Sequence, residues 1–212
     1  MSAAALSVVI PTFNTADMTL ACCRAVLASA PAETEVLVVD DASTDGTAAL
    51  LQAQVPEVRV IRLETNQRFA GAANAGVRAA NGRIVLLLNS DALVEPGALA
   101  ALLAAFDADA TLGVAGARLL NADGTPQWSG GPEPTLPWLV VLTGGVAALL
   151  PRRTRASGGA EVAWVSGAAM AFRAEVWNAA GPLDEGYRFY AQDLAFCLAA
   201  RAQGWDVRVI EA

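Results

Sequence analysis

The fold is decided by residues 6–41, which read LSVVIPTFNTADMTLACCRAVLASAPAETEVLVVDD. Residues 6–10 are a short apolar run that Pro11 is expected to stop, and residues 35–40 are a second apolar run that ends in acid. Between the two runs, residues 15–29 carry apolar side chains at helical spacing. The pattern predicts a β-α-β unit, and such a unit places its two strands parallel in one sheet.

The same alternation of strands and helices continues as far as residue 120. Helices are predicted over residues 47–54, 70–80 and 96–106, and strands over residues 58–63, 83–88 and 112–119. Gly82 is expected to close the second of these helices, and Pro96 to lie in the first turn of the third. We therefore expect one α/β domain with a Rossmann-like, mixed, mainly parallel sheet and helices on both faces.

Residues 121–159 interrupt this alternation with prolines and glycines. Within them, residues 136–150 are nearly all apolar, but these 15 residues fall short of the roughly 20 that span a bilayer. Two interpretations stay open: a core or interfacial segment, or a peripheral membrane contact helped by Arg152, Arg153 and Arg155. The elements predicted beyond it are paired strand segments over 162–172, helices over 175–180 and 193–203, the latter stopped by Gly204, and a strand over 207–210.

Composition excludes several classes of function. A formal charge of -7 and a pI near 4.6 argue against nucleic-acid binding, which needs clustered basic residues. The sequence has no histidine, so Ser-His-Asp and Cys-His nucleophiles and histidine metal sites are excluded, and any catalytic base is expected to be a carboxylate. Three cysteines form neither a disulfide framework nor a zinc spacing, and the first residues lack the features of a signal peptide. We expect a cytoplasmic protein.

Polar residues follow three of the predicted strands. Residues 11–14 follow the first strand, residues 40–47 the second, and Asn89-Ser90-Asp91 the fourth. Because ligands of open parallel sheets bind beyond the carboxyl ends of the strands, we expect these groups to converge on one crevice.

The acids in these segments have structural and functional interpretations. Asp40 and Asp45 are equally explained as helix caps or as ligands. Asp41, which follows Asp40 directly, requires a donor or cation beside it, because two adjacent carboxylates repel each other. The Asn89-Ser90-Asp91 turn is either a plain polar turn or a site where a hard cation bridges a carboxylate and a diphosphate.

The common phosphate-binding motifs are absent from the sequence. It has no P-loop, and residues 71–76 neither match GxGxxG nor follow a strand directly, so kinase, ATPase and dinucleotide-binding functions lose support. The glycine-rich signature of nucleotidyltransferases is missing near the first strand as well.

Four runs carry a specific resemblance: Ser7–Asn14, Val38–Thr47, Asn66–Gly76 and Leu87–Asp91. In this order and spacing they resemble the family 2 glycosyltransferases with the GT-A fold, and most of all the rhamnosyltransferase-like branch that builds bacterial surface polysaccharides. Later matches are Ser166-Gly167-Ala168, Gly181–Glu185 and Phe189–Asp193. The resemblance covers almost the whole chain and implies one GT-A domain over 1–212. Residues 1–120 would be its nucleotide-binding half, and residues 121–212 an acceptor-side half that ends before the family's usual final strand and histidine.

The resemblance also implies roles for individual residues. The nucleotide-sugar would lie among Pro11, Thr12, Asn14, Asp41, Arg68, Asn74, Asn89 and Ser90. Asp41 would accept the N–H of the base, and Asp91, the last acid of a DxD motif, would ligate Mg²⁺ or Mn²⁺. Asp193 would be the general base of an inverting transfer from a UDP- or dTDP-sugar to a hydroxyl of a glycan or lipid-linked acceptor.

Two residues depart from the family pattern near the implied base. Gln192 stands where the family usually has glutamate, and Ala195 replaces a second acid, so Asp193 is the one carboxylate left. An N-cap of the following helix is the structural alternative for Asp193. Three functions therefore stay open: the transferase, a non-catalytic or incomplete nucleotide-sugar-binding domain, and a sugar nucleotidyltransferase, which the missing glycine-rich loop disfavours. The transferase is expected in the cytoplasm, with the inner face of the membrane as an alternative location.

Overall fold

The computed structural model of the chain describes residues 4–135, 161–188 and 190–211. The elements in these ranges are β1 (Leu6–Thr12), α1 (Ala16–Ser29), β2 (Thr34–Asp40), α2 (Thr47–Gln54), β3 (Arg59–Arg62), α3 (Arg68–Ala79), β4 (Ile84–Leu88), α4 (Ala98–Ala108), β5 (Leu112–Ala117), β6 (Gly130–Gly131), β7 (Trp164–Val165), β8 (Ala169–Arg173), α5 (Ala174–Ala180), α6 (Gln192–Ala202) and β9 (Asp206–Ile210). The helices and strands predicted up to residue 120 are all present, with shifts of a few residues at their ends.

The main sheet has seven strands in the order β3-β2-β1-β4-β8-β5-β9. Only β8 runs antiparallel to its neighbours, so the predicted mixed, mainly parallel sheet is confirmed. The strand pairing predicted within residues 162–172 is wrong, because β7 pairs with β6 in a separate ribbon while β8 lies between β4 and β5. The strands β8 and β9 flank β5, so the two halves of the chain share one sheet.

Both faces of the sheet are covered by helices. Successive side chains of a strand point to opposite faces, and on β1 Val8 and Ile10 pack in the cluster that holds α1, α2 and α4, whereas Val9 packs in the cluster with α3, α5 and α6. The five residues of β4 are apolar and buried, as expected for a central strand covered on both sides.

Three expected boundaries differ from the structure. Strand β1 runs through Pro11 to Thr12; it pairs with β4 only as far as Val9 and continues beside β2 alone, and a proline is tolerated where one edge of a strand has no ladder partner. Helix α4 begins at Ala98 after a left-handed Gly97 (φ 87°), so Pro96 precedes the helix rather than opening it.

Gly82 does not close α3. The helix ends at Ala79, and the residue after it is extended rather than left-handed. Gly82 instead lets the chain approach β1, because a Cβ at this position would lie 2.6 Å from the backbone nitrogen of Ser7. The Gly82 N–H donates to the Ser7 hydroxyl at 2.7 Å. The glycine is therefore required by a contact with a strand far away in sequence.

No helix among residues 4–135, 161–188 and 190–211 is long and apolar enough to cross a bilayer. The apolar segment 136–150 and the three arginines after it lie outside the described residues. The predicted peripheral membrane contact therefore stays a prediction.

Candidate functional site

The carboxyl ends of β2, β1 and β4 lie side by side in the sheet, and the loops that follow them are hydrogen-bonded to one another. The Asn14 N–H donates to the Ser43 hydroxyl at 2.9 Å, and the Thr44 N–H donates to Asn14 Oδ1 at 2.8 Å. The Thr15 and Ser90 hydroxyls are 3.1 Å apart. The three polar segments thus form one edge of the sheet, where the sequence predicts a crevice.

Asp40 and Asp45 have their partners within the protein. Asp40 is fully buried and pairs with the guanidinium of Arg62 at 2.5 Å. Asp45 accepts the backbone N–H of Ala16 at 3.0 Å and of Thr47 at 3.1 Å, so it binds the first turns of both α1 and α2. Hydrogen bonds, above all from the Thr47 hydroxyl, hold the pKa of Asp45 below its usual value. Asp45 therefore fits the capping alternative, whereas Asp40 is structural without capping a helix, because its carboxylate binds Arg62 and the Ser43 N–H.

Asp41 is held by the start of α3. Its carboxylate is 3% exposed and accepts the Gln67 N–H at 2.7 Å. Burial is the largest effect and raises the pKa of Asp41, while hydrogen bonds from the N–H groups of Gln67 and Arg68 oppose it. The donor that Asp41 requires is therefore supplied by backbone, while the cation beside the two acids is Arg62, which pairs with Asp40.

The end of β1 is bound to α1 by hydroxyl groups. Thr12 is buried, and its hydroxyl lies 2.8 Å from that of Thr15 and 2.7 Å from that of Thr19. The side chain of Thr12, predicted to bind the nucleotide-sugar, therefore holds the strand to the helix. Sequence analysis missed Thr15 and Thr19, although their spacing of four residues places both hydroxyls on one face of α1.

Thr15 has an unusual position for an N-cap residue. Its hydroxyl makes no capping bond to α1 and instead contacts Ser90 of the loop after β4. The N–H of Ala16, the first residue of α1, is bound by Asp45. The Thr15 hydroxyl is thus available to orient the Asn89-Ser90-Asp91 turn.

Asn89 and Asp91 flank Ser90, and their side-chain polar groups are available to bind a ligand. Asp91 is exposed, and neither side chain makes a hydrogen bond or ion pair with another described residue. No group of three or more acidic or cysteine side chains in the described ranges is arranged to hold a metal by itself. Mg²⁺ is typically bound through one or two carboxylates plus substrate phosphates. One carboxylate and one amide oxygen fit an ion that arrives with a diphosphate.

Asp193 lies in the first turn of α6, which begins at Gln192. The N-cap residue is Ala191, so the alternative that Asp193 caps the helix is wrong. The Asp193 carboxylate accepts the Gly167 N–H through Oδ2 and the Leu194 N–H through Oδ1, each at 2.8 Å.

Two adjacent residues connect Asp193 with the turn after β4. Gly167 donates its N–H to Asp193, and the carbonyl of Ala168 accepts the Asn89 N–H at 2.9 Å. The first residue of the turn and the Asp193 carboxylate are therefore bound to the main chain of two adjacent residues just before β8. This connection brings the open side chains of Asn89 and Asp91 to the same region as the Asp193 carboxylate.

The two predicted residues of α3 have different environments. Arg68 begins the helix with a left-handed backbone (φ 62°), and its exposed guanidinium makes no ion pair within the described part of the chain. Asn74 is fully buried and binds the main chain of Leu183, donating to its carbonyl at 2.9 Å and accepting its N–H at 3.0 Å. Asn74 also donates to Glu185 at 2.8 Å. Its side chain therefore holds the loop before α6 and does not reach the loops after β1 and β2.

Left-handed backbone is concentrated around this edge of the sheet. The non-glycine residues with positive φ in the described ranges are Asn14, Glu33, Ala42, Arg68 and Ala191. All but Glu33 adjoin residues of the candidate site. Such conformations cost about 1–3 kcal/mol each and cluster at functional sites. Alanine gives no sequence signal of this strain, so Ala42 and Ala191 could not be predicted.

We expect Ala191→Gly to stabilise the protein, because glycine adopts φ 77° without a steric cost. Glycine also adds conformational entropy to the unfolded chain, which reduces the gain. We expect a net increase of about 0.5–1 kcal/mol in the free energy of unfolding, measured by urea denaturation. Glu33→Gly is the matched control, since Glu33 is left-handed (φ 61°) but remote from Asp193. A lower free energy of unfolding for Ala191→Gly would contradict the assigned strain.

Comparison with known proteins gives a family match over most of the chain. The sequence model described as "Glycosyl transferase family 2" matches residues 7–177. The succinoglycan biosynthesis protein ExoO of Rhizobium meliloti is 38% identical over 118 residues, which are 55% of this chain and 34% of ExoO. The putative teichuronic acid biosynthesis glycosyltransferase TuaG of Bacillus subtilis is 37% identical over 89 residues, 41% of this chain and 35% of TuaG. The chain spans about a third of the length of the curated relatives named here.

Solved structures give the same fold. The mannosyltransferase PcManGT of Pyrobaculum calidifontis, in complex with GDP-Man and Mn²⁺, superposes with a TM-score of 0.68 at 22% identity over 100% of this chain and 55% of that protein. Residues 1–349 of S. aureus TarS give a TM-score of 0.70 at 22% identity over 97% of this chain and 58% of that protein. The predicted GT-A fold is confirmed.

Proposed function

Because the chain belongs to glycosyl transferase family 2, we propose that it transfers a sugar from a nucleotide-diphosphate sugar to a hydroxyl of a glycan or lipid-linked acceptor. The observation that carries this proposal is the main-chain link through Gly167 and Ala168, of which the first donates to the Asp193 carboxylate and the second accepts from Asn89 at the start of the open turn. The reaction needs a carboxylate that can accept a proton and an open site that can bind a metal diphosphate. Asp193 and the Asn89–Asp91 turn are the candidates for these two parts. The names of ExoO and TuaG favour a role in surface polysaccharide synthesis.

In this proposal the nucleoside lies against the loops after β1 and β2. Asp41 accepts the N–H of the base with a carboxylate that the start of α3 already orients. Pro11 and Asn14 shape the same wall, and the guanidinium of Arg68, which has no ion-pair partner among the described residues, supplies positive charge beside it. Asn74 and Thr12 contribute indirectly, because their side chains fix protein segments.

Asp91 would hold Mg²⁺ or Mn²⁺, with Asn89 as its neighbour in the turn. A bound ion of this kind neutralises the charge that develops on the leaving diphosphate. The Mn²⁺ in the PcManGT complex supports a divalent ion for this fold, and a UDP- or dTDP-sugar is our proposed donor. Ser90 keeps the turn in place through its contact with Thr15.

Asp193 is the proposed general base. Its carboxylate removes the proton of the acceptor hydroxyl as the oxygen attacks the anomeric carbon, and a single displacement inverts that carbon. The Gly167 and Leu194 N–H groups fix the orientation of the carboxylate.

A panel of nucleotide sugars with Mn²⁺, scored by thermal shift and then by turnover, tests the proposal. A donor at 100 times its Kd stabilises the native state by about 2.7 kcal/mol, which for a chain of this size raises Tm by roughly 5–10 °C. The panel includes dTDP-rhamnose, because the narrower resemblance to rhamnosyltransferases is still a prediction. If no nucleotide sugar raises Tm, the proposed function is wrong.

The alternative is a domain that binds a nucleotide sugar without transferring it. The single acid at the start of α6, with Gln192 and Ala195 beside it, is the observation that favours this alternative. A donor that raises Tm but is neither transferred nor hydrolysed in the presence of Mn²⁺ would support it. Release of pyrophosphate from a nucleoside triphosphate would instead indicate a sugar nucleotidyltransferase.

We expect Thr15→Val to weaken metal binding while leaving α1 capped, because Asp45 serves the first N–H of that helix. The variant loses the hydrogen bond to Ser90, of about 1 kcal/mol, together with the contacts to the hydroxyls of Thr12 and Thr19. The loss at Ser90 alone should raise the Kd for Mn²⁺ about 3- to 10-fold in the presence of UDP. Isothermal titration measures this change. Thr15→Ser retains the hydroxyl and should bind as the wild type does; equal affinities for all three proteins would refute the orienting role.

A further inference from the structure

Gln192 begins α6 with a side chain that faces the protein interior. The residue is 4% exposed, and its amide donates to the carbonyl of Tyr187 with an Nε2 to oxygen distance of 3.1 Å. The acceptor is main chain, so the bond depends on a donor at position 192 and not on the type of residue at 187.

The loop over residues 183–187 is held at both ends by buried side-chain amides. Asn74 donates to the carbonyl of Leu183 at one end, and Gln192 donates to the carbonyl of Tyr187 at the other. Between these points the loop forms a turn in which the Asp184 carboxylate accepts the Gly186 N–H at 2.8 Å. The two amides therefore fix the position of the turn between α3 and α6.

An ionised glutamate could not replace Gln192 in this arrangement. A carboxylate has no proton to donate, so it would place a buried negative charge against the carbonyl oxygen of Tyr187. The neighbouring Asp193 would add like-charge repulsion. Further charged residues on the loop and on the elements packed against α6 are Asp184, Glu185, Arg188, Glu175, Asp206 and Arg208. A protonated glutamic acid, in contrast, has the same shape as glutamine and an O–H that can donate to the carbonyl.

We propose that Gln192 is a positioning residue whose buried amide is required as a neutral donor: it fixes the carbonyl of Tyr187, and with it the segment that leads into α6 and Asp193. The difference from the family's usual glutamate is then a gain of a hydrogen-bond donor rather than the loss of a catalytic acid. The claim about the donor concerns the structure alone, while the consequence for Asp193 rests on the proposed transferase function.

The test compares Gln192→Glu and Gln192→Met with the wild type in the full chain. At pH 8 both variants should lower Tm by roughly 2 °C or more, because the carbonyl of Tyr187 loses a hydrogen bond of about 1 kcal/mol. Burial raises the pKa of a glutamate, so between its unfolded pKa of about 4.3 and the higher folded pKa the native state binds more protons than the unfolded state. Stability contributed by the protonated group is therefore lost as pH rises through this window.

We accordingly expect the deficit of Gln192→Glu relative to the wild type to shrink by half or more between pH 8 and pH 5. The deficit of Gln192→Met should stay constant, since methionine neither donates nor titrates. A deficit of Gln192→Glu that does not change with pH, or wild-type stability of Gln192→Glu at pH 8, would overturn the proposal.

Measurement of kcat and KM tests whether Gln192 positions the segment before Asp193 or only fills space in the interior. With a donor from the panel, Gln192→Met should lower kcat about tenfold or more and leave KM for the donor within about twofold, because the loop adjoins Asp193 and not the nucleoside wall. Unchanged kcat would restrict Gln192 to the fold and refute the positioning role. A wild type without turnover would count against the transferase function and leave the stability result intact.

Discussion

Asp193→Asn is expected to lower kcat by about 100- to 10,000-fold, the range that a general base contributes. Asparagine has nearly the same shape as aspartate and keeps one oxygen to accept the Gly167 N–H, so Asn89, Ala168 and Gly167 should retain their connection. It cannot accept the proton of the acceptor hydroxyl. The loss should therefore fall on kcat, with the Kd of the donor little changed, and both are measured by turnover and isothermal titration.

The cost to folding should be small. The Asp193 carboxylate accepts two N–H groups and the amide can accept one of them, so a loss of about 1 kcal/mol is expected. Glu175→Gln is the control for a change of charge, because Glu175 is an exposed acid on α5 without a partner in the described structure. Full activity of Asp193→Asn would remove Asp193 as the base and leave the transferase without a proton acceptor at this end of α6.

Asp91→Asn is expected to remove metal-dependent donor binding. Asp91 is the single carboxylate of the Asn89–Asp91 turn. No group of three or more acidic or cysteine side chains among the described residues could hold the ion instead. Without the Asp91 carboxylate, the ion would be held only by neutral protein ligands and by the diphosphate. We expect the Kd for Mn²⁺ in the presence of UDP to rise about 100-fold or more, and turnover at a fixed metal concentration to fall with it.

The thermal stability of Asp91→Asn should differ little from that of the wild type, in contrast to its metal binding. The Asp91 side chain is exposed and makes no hydrogen bond with a described residue, so Tm without ligand should stay within about 2 °C of the wild type. Glu95→Gln is the matched control, because Glu95 is an exposed acid in the same loop. If Glu95→Gln weakens Mn²⁺ binding as much as Asp91→Asn does, the effect comes from general negative charge and not from ligation.

Local sequence pattern predicts the elements well where the determining contacts are close in sequence. Helix α2 lies over residues 47–54 as its periodicity predicts, and Gly204 follows α6 with a left-handed φ of 89°. The alternating apolar pattern and the turn residues set these features within a few positions.

Contacts between distant segments account for most of the differences. Gly82 is required by the approach of Ser7, and the buried amide of Asn74 is used by Leu183, more than a hundred residues later. The resemblance implied that Asn74, which lies within the run Asn66–Gly76, supports the wall of the nucleoside site. It could not see that a loop near α6 would take up the side chain.

In the candidate site too, local sequence predicts some features, whereas contacts between distant segments determine others. The open side chains of Asn89 and Asp91 follow a buried strand directly, and this position could be predicted from the apolar run of β4 alone. The partner of Asp193 could not, because the bond from Gly167 depends on β8 entering the sheet beside β4. Resemblance to the family implied a role for Asp193 but not this partner.

The insertion of β8 between β4 and β5 also has a consequence for synthesis on the ribosome. Among the described strands, β5 pairs only with β8 and β9, so the emerging first half leaves one edge of β4 and both edges of β5 unpaired until the chain has been extended through β8 and β9. At roughly 5–20 residues per second this interval lasts seconds, much longer than hydrophobic collapse. We expect the nascent first half to bind chaperones during this interval, and folding to be completed only when β8 and β9 have paired with β5.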